Sequence, residues 1–194
     1  KNTELTGNVI IPVHTHTVTL GGQYIKEKLN DKGNQYTDSV TDLSRWNYAL
    51  FAEDEWWLLD NFSLTAGLRY DKDQKFGSHI TPRIYGVWNI NDDYTLKGGI
   101  STGYAAPGLR QVAPEWGQIT GGNGNSGYVI LGNPNLKPEK STNYEIGLNF
   151  SPSENLDTNV TAFYTQFKDK IESFVTCDED SAKPCSTPNG TVYK

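Results

Sequence analysis

The chain has 194 residues, 17 Lys+Arg against 23 Asp+Glu for a formal net charge of −6, and only 36% hydrophobic residues. That acidic balance, with no Lys/Arg-rich run, lacks the basic footprint a phosphate backbone requires and argues against nucleic acid as a partner. No stretch approaches the roughly 18 apolar residues of a spanning helix, which excludes a helical membrane protein, but a membrane β-barrel keeps a low average hydropathy and stays open. The length suits one domain or a piece of a larger one, and the absence of methionine marks the chain as processed or a fragment.

Apolar residues recur with a period of two almost throughout, the signature of strands with two unlike faces. Weak alternation runs from Glu4 to Val13, from His16 to Leu29 and from Trp46 to Leu58. The clearest stretch follows, with Phe62, Leu64, Ala66, Leu68 and Tyr70 on one face and Ser63, Thr65, Gly67 and Arg69 on the other. After a weaker strand from His79 to Ile90, Tyr94, Leu96, Gly98, Ile100, Thr102 and Tyr104 oppose Thr95, Lys97, Gly99, Ser101 and Gly103. Tyr144, Ile146, Leu148 and Phe150 then oppose Asn143, Glu145, Gly147 and Asn149, and a last strand runs from Leu156 to Phe167. The reading is all-β, with eight antiparallel strands and no helix.

The connections alternate in length. Short polar turns fall near His14 to Thr15, Leu59 to Asn61, Asn91 to Asp93 and Ser151 to Glu154, and long segments at Asn30 to Ser44, Asp71 to Ser78, Ala106 to Lys140 and from Lys168 to about Gly190. Transmembrane barrels keep short turns on the periplasmic side and long loops outside, and a soluble sandwich has no reason to. Trp46 and Trp56 share a face ten residues apart, which projects to roughly 25 Å on a strand tilted near 40°, the height of a barrel's apolar band. Trp46, Trp56, Leu64, Leu68, Ile100 and Leu148 are therefore expected to face lipid, and Arg69, Lys97 and Glu145 the lumen.

Chemistry-bearing motifs are sparse. Cys177 and Cys185 lie in a polar segment better suited to a small disulfide than to a metal site, and their pairing would imply an oxidising compartment. The stretch from Gly122 to Gly127 formally fits a dinucleotide fingerprint but lacks its strand-to-helix setting, so it reads as a flexible loop. His14 and His16 have no third metal ligand nearby, and Asp178, Glu179 and Asp180 read as a solvated acidic loop rather than a calcium site. No nucleophile has a base and an oxyanion partner, so no enzyme is expected.

Particular residues resemble a known family. Gly132-Asn-Pro-Asn-Leu-Lys-Pro-Glu139, followed by Ser141, Asn143, Glu145 and Gly147, is similar to a signature of the TonB-dependent outer-membrane receptors for ferric siderophores. Tyr48 to Trp56, Leu68 to Asp71, Thr81 to Arg83 and Gly103 to Leu109 resemble other barrel-strand motifs of that family. Within it the likeness is to the catecholate receptors of the enterobactin and colicin I receptor group, which Phe167 to Ile171 and the cysteine pair also resemble. The resemblance implies the outer membrane of a Gram-negative bacterium, a ferric catecholate siderophore as transported ligand, no resident cofactor, lipid around the wall, and energy from TonB through a plug domain. It also admits colicins and phages as users of the loops. Neither a plug nor a terminal aromatic strand is visible, so residues 1–194 are expected to be an internal part of the barrel domain, eight strands of a wall of about 22, with a further strand starting at Val192.

The segment from Ala106 to Lys140 is too long for a mere connector. Arg110, Lys137 and Lys140 against Glu115 and Glu139 give it +1, whereas Asn30 to Ser44 carries −2. Arginine supplies charge-assisted hydrogen bonds and stacking to an anionic ligand with flat aromatic arms, and Trp or Tyr an aromatic wall. Arg110, Gln111, Trp116, Gln118, Tyr128 and, at the mouth, Tyr104 are the candidate ligand residues. The alternative reading, a small closed eight-stranded barrel with a structural or adhesive role, conflicts with Gly67, Gly99, Ser101 and Gly103 on the inner face, since a narrow barrel must fill its interior with side chains.

Overall fold

The computed structural model describes residues 1–30, 42–113, 118–119, 129–175 and 190–193. Eight long strands form one antiparallel sheet, each hydrogen-bonded to its neighbours in sequence: β1 (Asn2–Val13), β2 (His16–Asn30), β3 (Asp42–Leu59), β4 (Phe62–Asp73), β5 (Gly77–Asn89), β6 (Tyr94–Ala105), β9 (Glu139–Ser153) and β10 (Leu156–Lys168). Several extend beyond the alternating stretch. β3 begins at Asp42 and β9 at Glu139, because backbone pairing continues into polar residues where neither face is apolar and no period shows.

Register carries the alternation across the wall. One row runs through Phe62, Trp88, Leu96, Leu148 and Val160, and another through Glu53, Gly67, Arg83, Ser101, Asn143 and Thr165. The first face is apolar and open, with Leu68 53%, Ile80 61% and Ile146 57% exposed, and the buried hydrophobic residues among those described are only Ala49, Val112, Ala113 and Leu136. Such a sheet has no core of its own, and lipid is the solvent that suits its outer face. Trp46, Trp56, Leu64, Leu68, Ile100 and Leu148 occupy that face by register, and Arg69, Lys97 and Glu145 the opposite one.

The opposite face is polar and interlinked. Arg69 donates through Nη2 to Gln23 (2.8 Å) and pairs with Asp71 (3.0 Å), Gln23 donates to Glu4 (2.7 Å), Arg83 pairs with Glu53 (3.3 Å), and the Tyr85 hydroxyl donates to Glu145 (3.2 Å). Long side chains here lie flat across glycines of the next strand. A Cβ at Gly67 would come within 2.8 Å of Arg83 Cγ, and one at Gly99 within 2.3 Å of the Ile84 carbonyl oxygen and 2.6 Å of the Tyr85 ring.

Aromatic contacts band the outer face at both ends. His16 stacks on Trp56 (5.3 Å) and Tyr94 on Phe150 (4.5 Å) near the short turns, while Trp46 and Tyr48 (6.0 Å) and Tyr144 and Tyr164 (6.3 Å) pair near the other end. Three expectations need correction. The Asp71 to Ser78 connection is not a long loop, since β4 and β5 are joined by residues 74–76 alone. Asp73 Oδ1 accepts the Lys75 and Phe76 N–H groups at 2.8 and 3.1 Å, and Gly77 supplies φ +79°, so the turn closes tightly. The closed eight-stranded barrel also fails, because β1 and β10 are the two edges of the sheet and no pairing joins them among the described residues.

The third correction concerns the chain's last strand. β12 (Gly190–Tyr193) does form, but it lies between β11 (Ser173–Val175) and β8 (Val129–Leu131), with β7 (Gln118–Ile119) beyond, in a small loop sheet rather than against β10. Strands of two to four residues are too short to leave a legible period.

Candidate functional site

The long-loop end of the wall gathers the functional candidates. Pro82 has no N–H to give, and the β5–β6 ladder stops beside it at the Arg83–Ser101 pair, with the Thr102 hydroxyl donating to the Pro82 carbonyl at 2.8 Å. Beyond that point the strands part around a cleft of about 450 Å³ lined by His79, Thr81, Thr102, Tyr104, Lys140 and Thr142 among others. Alternation assigns Tyr104 to the lipid face, but its ring stacks on His79 at 4.1 Å and its hydroxyl is buried with no hydrogen-bond partner among the described residues. On the β5 side the ladder has ended and leaves the ring room to do so, while β6 stays paired to β9 through Ala105, and Tyr104 is no member of the outer aromatic band.

Beside the cleft, Arg45 enters from β3. It is 7% exposed, a position in which a guanidinium must be paired. Nη1 donates to the Pro107 carbonyl (2.5 Å), Nη2 to Glu27 of β2 (2.8 Å), and Nε lies 3.4 Å from Asp73 Oδ2 of β4. The guanidinium also sits 5.7 Å from the Phe76 ring centroid. Pro107, buried to less than 2% exposure, thereby pins the start of the segment after β6 to three strands at once.

That segment folds into a 3-10 turn, Arg110–Val112. The Gln111 side-chain oxygen accepts the Gly108 N–H (2.6 Å), and the Gln111 carbonyl accepts the Asn133 N–H (2.6 Å). A Cβ at Gly132 would come within 2.6 Å of Ala113 N and of the Arg110 carbonyl oxygen, so only glycine lets the two arms of the loop touch. Asn133 Oδ1 accepts the Asn135 N–H (3.0 Å), Leu136 is buried with Val112 and Ala113, and Glu139 accepts the Ile171 N–H (2.6 Å). The Gly132 to Glu139 motif is thus the fitting that docks one arm on the other and reaches the following loop.

Among the sequence candidates, Tyr104 lines the cleft, and Arg110 and Gln111 stand on the adjoining turn, with Gln111's amide oxygen engaged in closing it. Gln118 lies in β7, with only its backbone described. Trp116, Tyr128, Cys177 and Cys185, with the stretches 122–127 and 178–180, lie outside the described residues. His16, considered above for metal binding, has Nδ1 at 2.8 Å from Asp54 Oδ2. Arg45, Glu27 and Asp73 were not singled out by alternation because each sits at the polar end of a strand. Their shared inward parity at one end of adjacent strands was the available signal.

A family model described as "TonB dependent receptor-like, beta-barrel" matches residues 1–192, and the chain belongs to that family. It is 46% identical over 170 residues to the iron-regulated outer membrane virulence protein of Vibrio cholerae serotype O1 (strain El Tor Inaba N16961), covering 88% of this chain and 25% of that protein. It is 32% identical over 211 residues to the ferric enterobactin receptor of Pseudomonas aeruginosa strain PAO1, covering 97% of this chain and 28% of that one. The crystal structure of the siderophore receptor PirA from Pseudomonas aeruginosa superposes with a TM-score of 0.86 at 27% identity, over 99% of this chain and 36% of PirA. The chain therefore spans about a quarter of the length of the curated relatives it matches. The family is one of receptors, not enzymes.

Proposed function

We propose that the chain is part of the barrel wall and outer loops of a Gram-negative outer-membrane receptor that takes up a ferric catecholate siderophore. The short turns face the periplasm, the long loops face outside, and TonB energises transport through a plug domain elsewhere in the receptor. The observation that carries this reading is the family match over the whole sheet, joined to relatives named for ferric enterobactin. The mouth supports it chemically. The stacked rings of His79 and Tyr104, beside a turn bearing Arg110, offer flat apolar surface and positive charge to an anionic ligand with aromatic arms.

Arg110 carries the ligand contact in this reading, with Trp116 packing on a ring. A charge-assisted contact contributes about 1.5 to 3 kcal/mol, so Arg110→Ala in the full-length receptor is expected to weaken ferric enterobactin binding roughly tenfold to a hundredfold. Titration in detergent measures it, and wild-type affinity in the variant would place the binding contact elsewhere.

A further inference from the structure

We infer that Arg45 is the positioning residue of the mouth, holding the segment after β6 where Arg110 meets ligand; this rests on the siderophore reading above. Arg45 ties the start of that segment to the wall, since its Nη1 bond to the Pro107 carbonyl spans 62 residues of sequence while its other contacts fix the guanidinium to β2 and β4, and Lys75 Nζ adds a longer contact to the Val112 carbonyl at 3.5 Å. Two residues, Gly108 and Leu109, separate Pro107 from Arg110, which opens the 3-10 turn that Gln111 closes on Gly108. The start of the segment, up to Arg110, therefore follows the placement of Pro107.

The planar fork is what the job requires. One guanidinium sends two diverging N–H groups to a carbonyl and a carboxylate on different elements, and an ammonium point charge cannot hold both at once in fixed directions. The network is incompletely satisfied: Arg45 Nε, Asp73 Oδ2 and the Tyr104 hydroxyl, three of the four buried polar side-chain atoms without a hydrogen bond among the described residues, all lie in this cluster. Charge attraction rather than a closed set of hydrogen bonds holds Asp73 to Arg45, which leaves the two bonds from Nη1 and Nη2 as the directional ones.

Hydrogen exchange read by mass spectrometry on the ligand-free, full-length receptor tests the inference directly. Arg45→Ala is expected to speed exchange across residues 106–113 and 132–136 at least tenfold, with the β4–β6 ladders unchanged, and Arg45→Lys, which keeps the charge but loses the fork, to give an intermediate rate. Titration with ferric enterobactin supplies the second readout. Arg45→Ala should weaken binding about tenfold, and combining it with Arg110→Ala should weaken binding no further than Arg110→Ala alone, because both remove one contact. Unchanged exchange in Arg45→Ala, or additive losses in the double variant, overturns the inference. If wild-type receptor fails to bind ferric enterobactin, the siderophore reading falls while the exchange comparison still decides the role of Arg45. Should Arg45→Ala fail to assemble, Arg45→Lys carries the test, and loop exchange as slow as wild type then overturns it.

Discussion

Two turns at opposite ends of the wall use the same local device and meet different fates. Asp73 Oδ1 accepts the N–H groups two and three residues on, at 2.8 and 3.1 Å, and Asn91 Oδ1 does the same at 3.0 and 2.9 Å. Asn91 is exposed, and among the described residues its turn reaches the next hairpin through the Asp93 carbonyl, which accepts the Ser151 N–H at 2.8 Å. Asp73 is 2% exposed and faces Arg45 with its second oxygen. The short-turn end is thus joined by backbone bonds between adjacent turns and strands, such as the Trp57 N–H to the Thr15 carbonyl and the Asn89 N–H to the Asn61 carbonyl, both 2.8 Å, whereas the mouth is assembled from side chains remote in sequence that meet at one arginine.

If that difference is real, matched substitutions must separate the two turns widely. Asp73→Ala removes the turn acceptor and leaves Arg45 with one carboxylate, and breaking a buried pair in this way costs about 3 to 5 kcal/mol. Amide exchange at Lys75, Phe76 and residues 106–113 should rise more than about a hundredfold in the full-length receptor. Asp73→Asn keeps the turn geometry and discards only the charge, so it should fall between, at about 1 to 3 kcal/mol. Wild-type exchange in Asp73→Asn would mean that the Arg45 contact adds nothing to the turn.

Asn91→Ala is the counterpart at the other end. It loses two exposed hydrogen bonds that water replaces, and the expected cost is about 1 kcal/mol, confined to the amides of Asp93 and Tyr94. An effect spreading into β9 would show that the Ser151 contact makes this end cooperative too, and the contrast between the ends would narrow.

The same contrast explains what could be read from residues alone. The eight wall strands are legible because lipid on one side and a polar interior on the other force a period of two, and the short turns because Asn91 or His14 and Thr15 mark them locally. Tyr104 is misassigned by the same rule: its parity is outward, but its ring stacks on His79 where the β5–β6 ladder has ended at Ser101, although β6 stays paired to β9 through Ala105. Of the loop strands, β7, β8 and β11 escape notice because they are two or three residues long. Arg45 escapes because nothing within ten residues of it in sequence hints that Pro107, Glu27 and Asp73 are its partners. The Gly132 to Glu139 motif lies between these cases. It is recognisable as a resemblance, yet its work, bringing Gly132 against Ala113 and burying Leu136, emerges only from the fold.

The smallest expected effect checks that the comparison concerns the ends and not the wall they share. Gly86 sits on the outer face between Leu64 and Gly98, and a Cβ there would meet the Phe62 ring at 3.5 and 3.7 Å, ordinary contact distances. Gly98 beside it is different, since a Cβ would lie 2.9 Å from the Glu145 carbonyl oxygen, which is backbone and cannot yield. Replacing glycine inside a strand relieves a conformational cost of about 0.5 to 1 kcal/mol, so Gly86→Ala should leave stability unchanged or raise it by about that much. Exchange at both the Asp73 and Asn91 turns should match wild type, with the denaturant midpoint equal or slightly higher. If Gly86→Ala instead loosened the Asp73 turn, the wall would be transmitting strain along its length, and the costs assigned to Asp73 and Asn91 could no longer be attributed to their own ends.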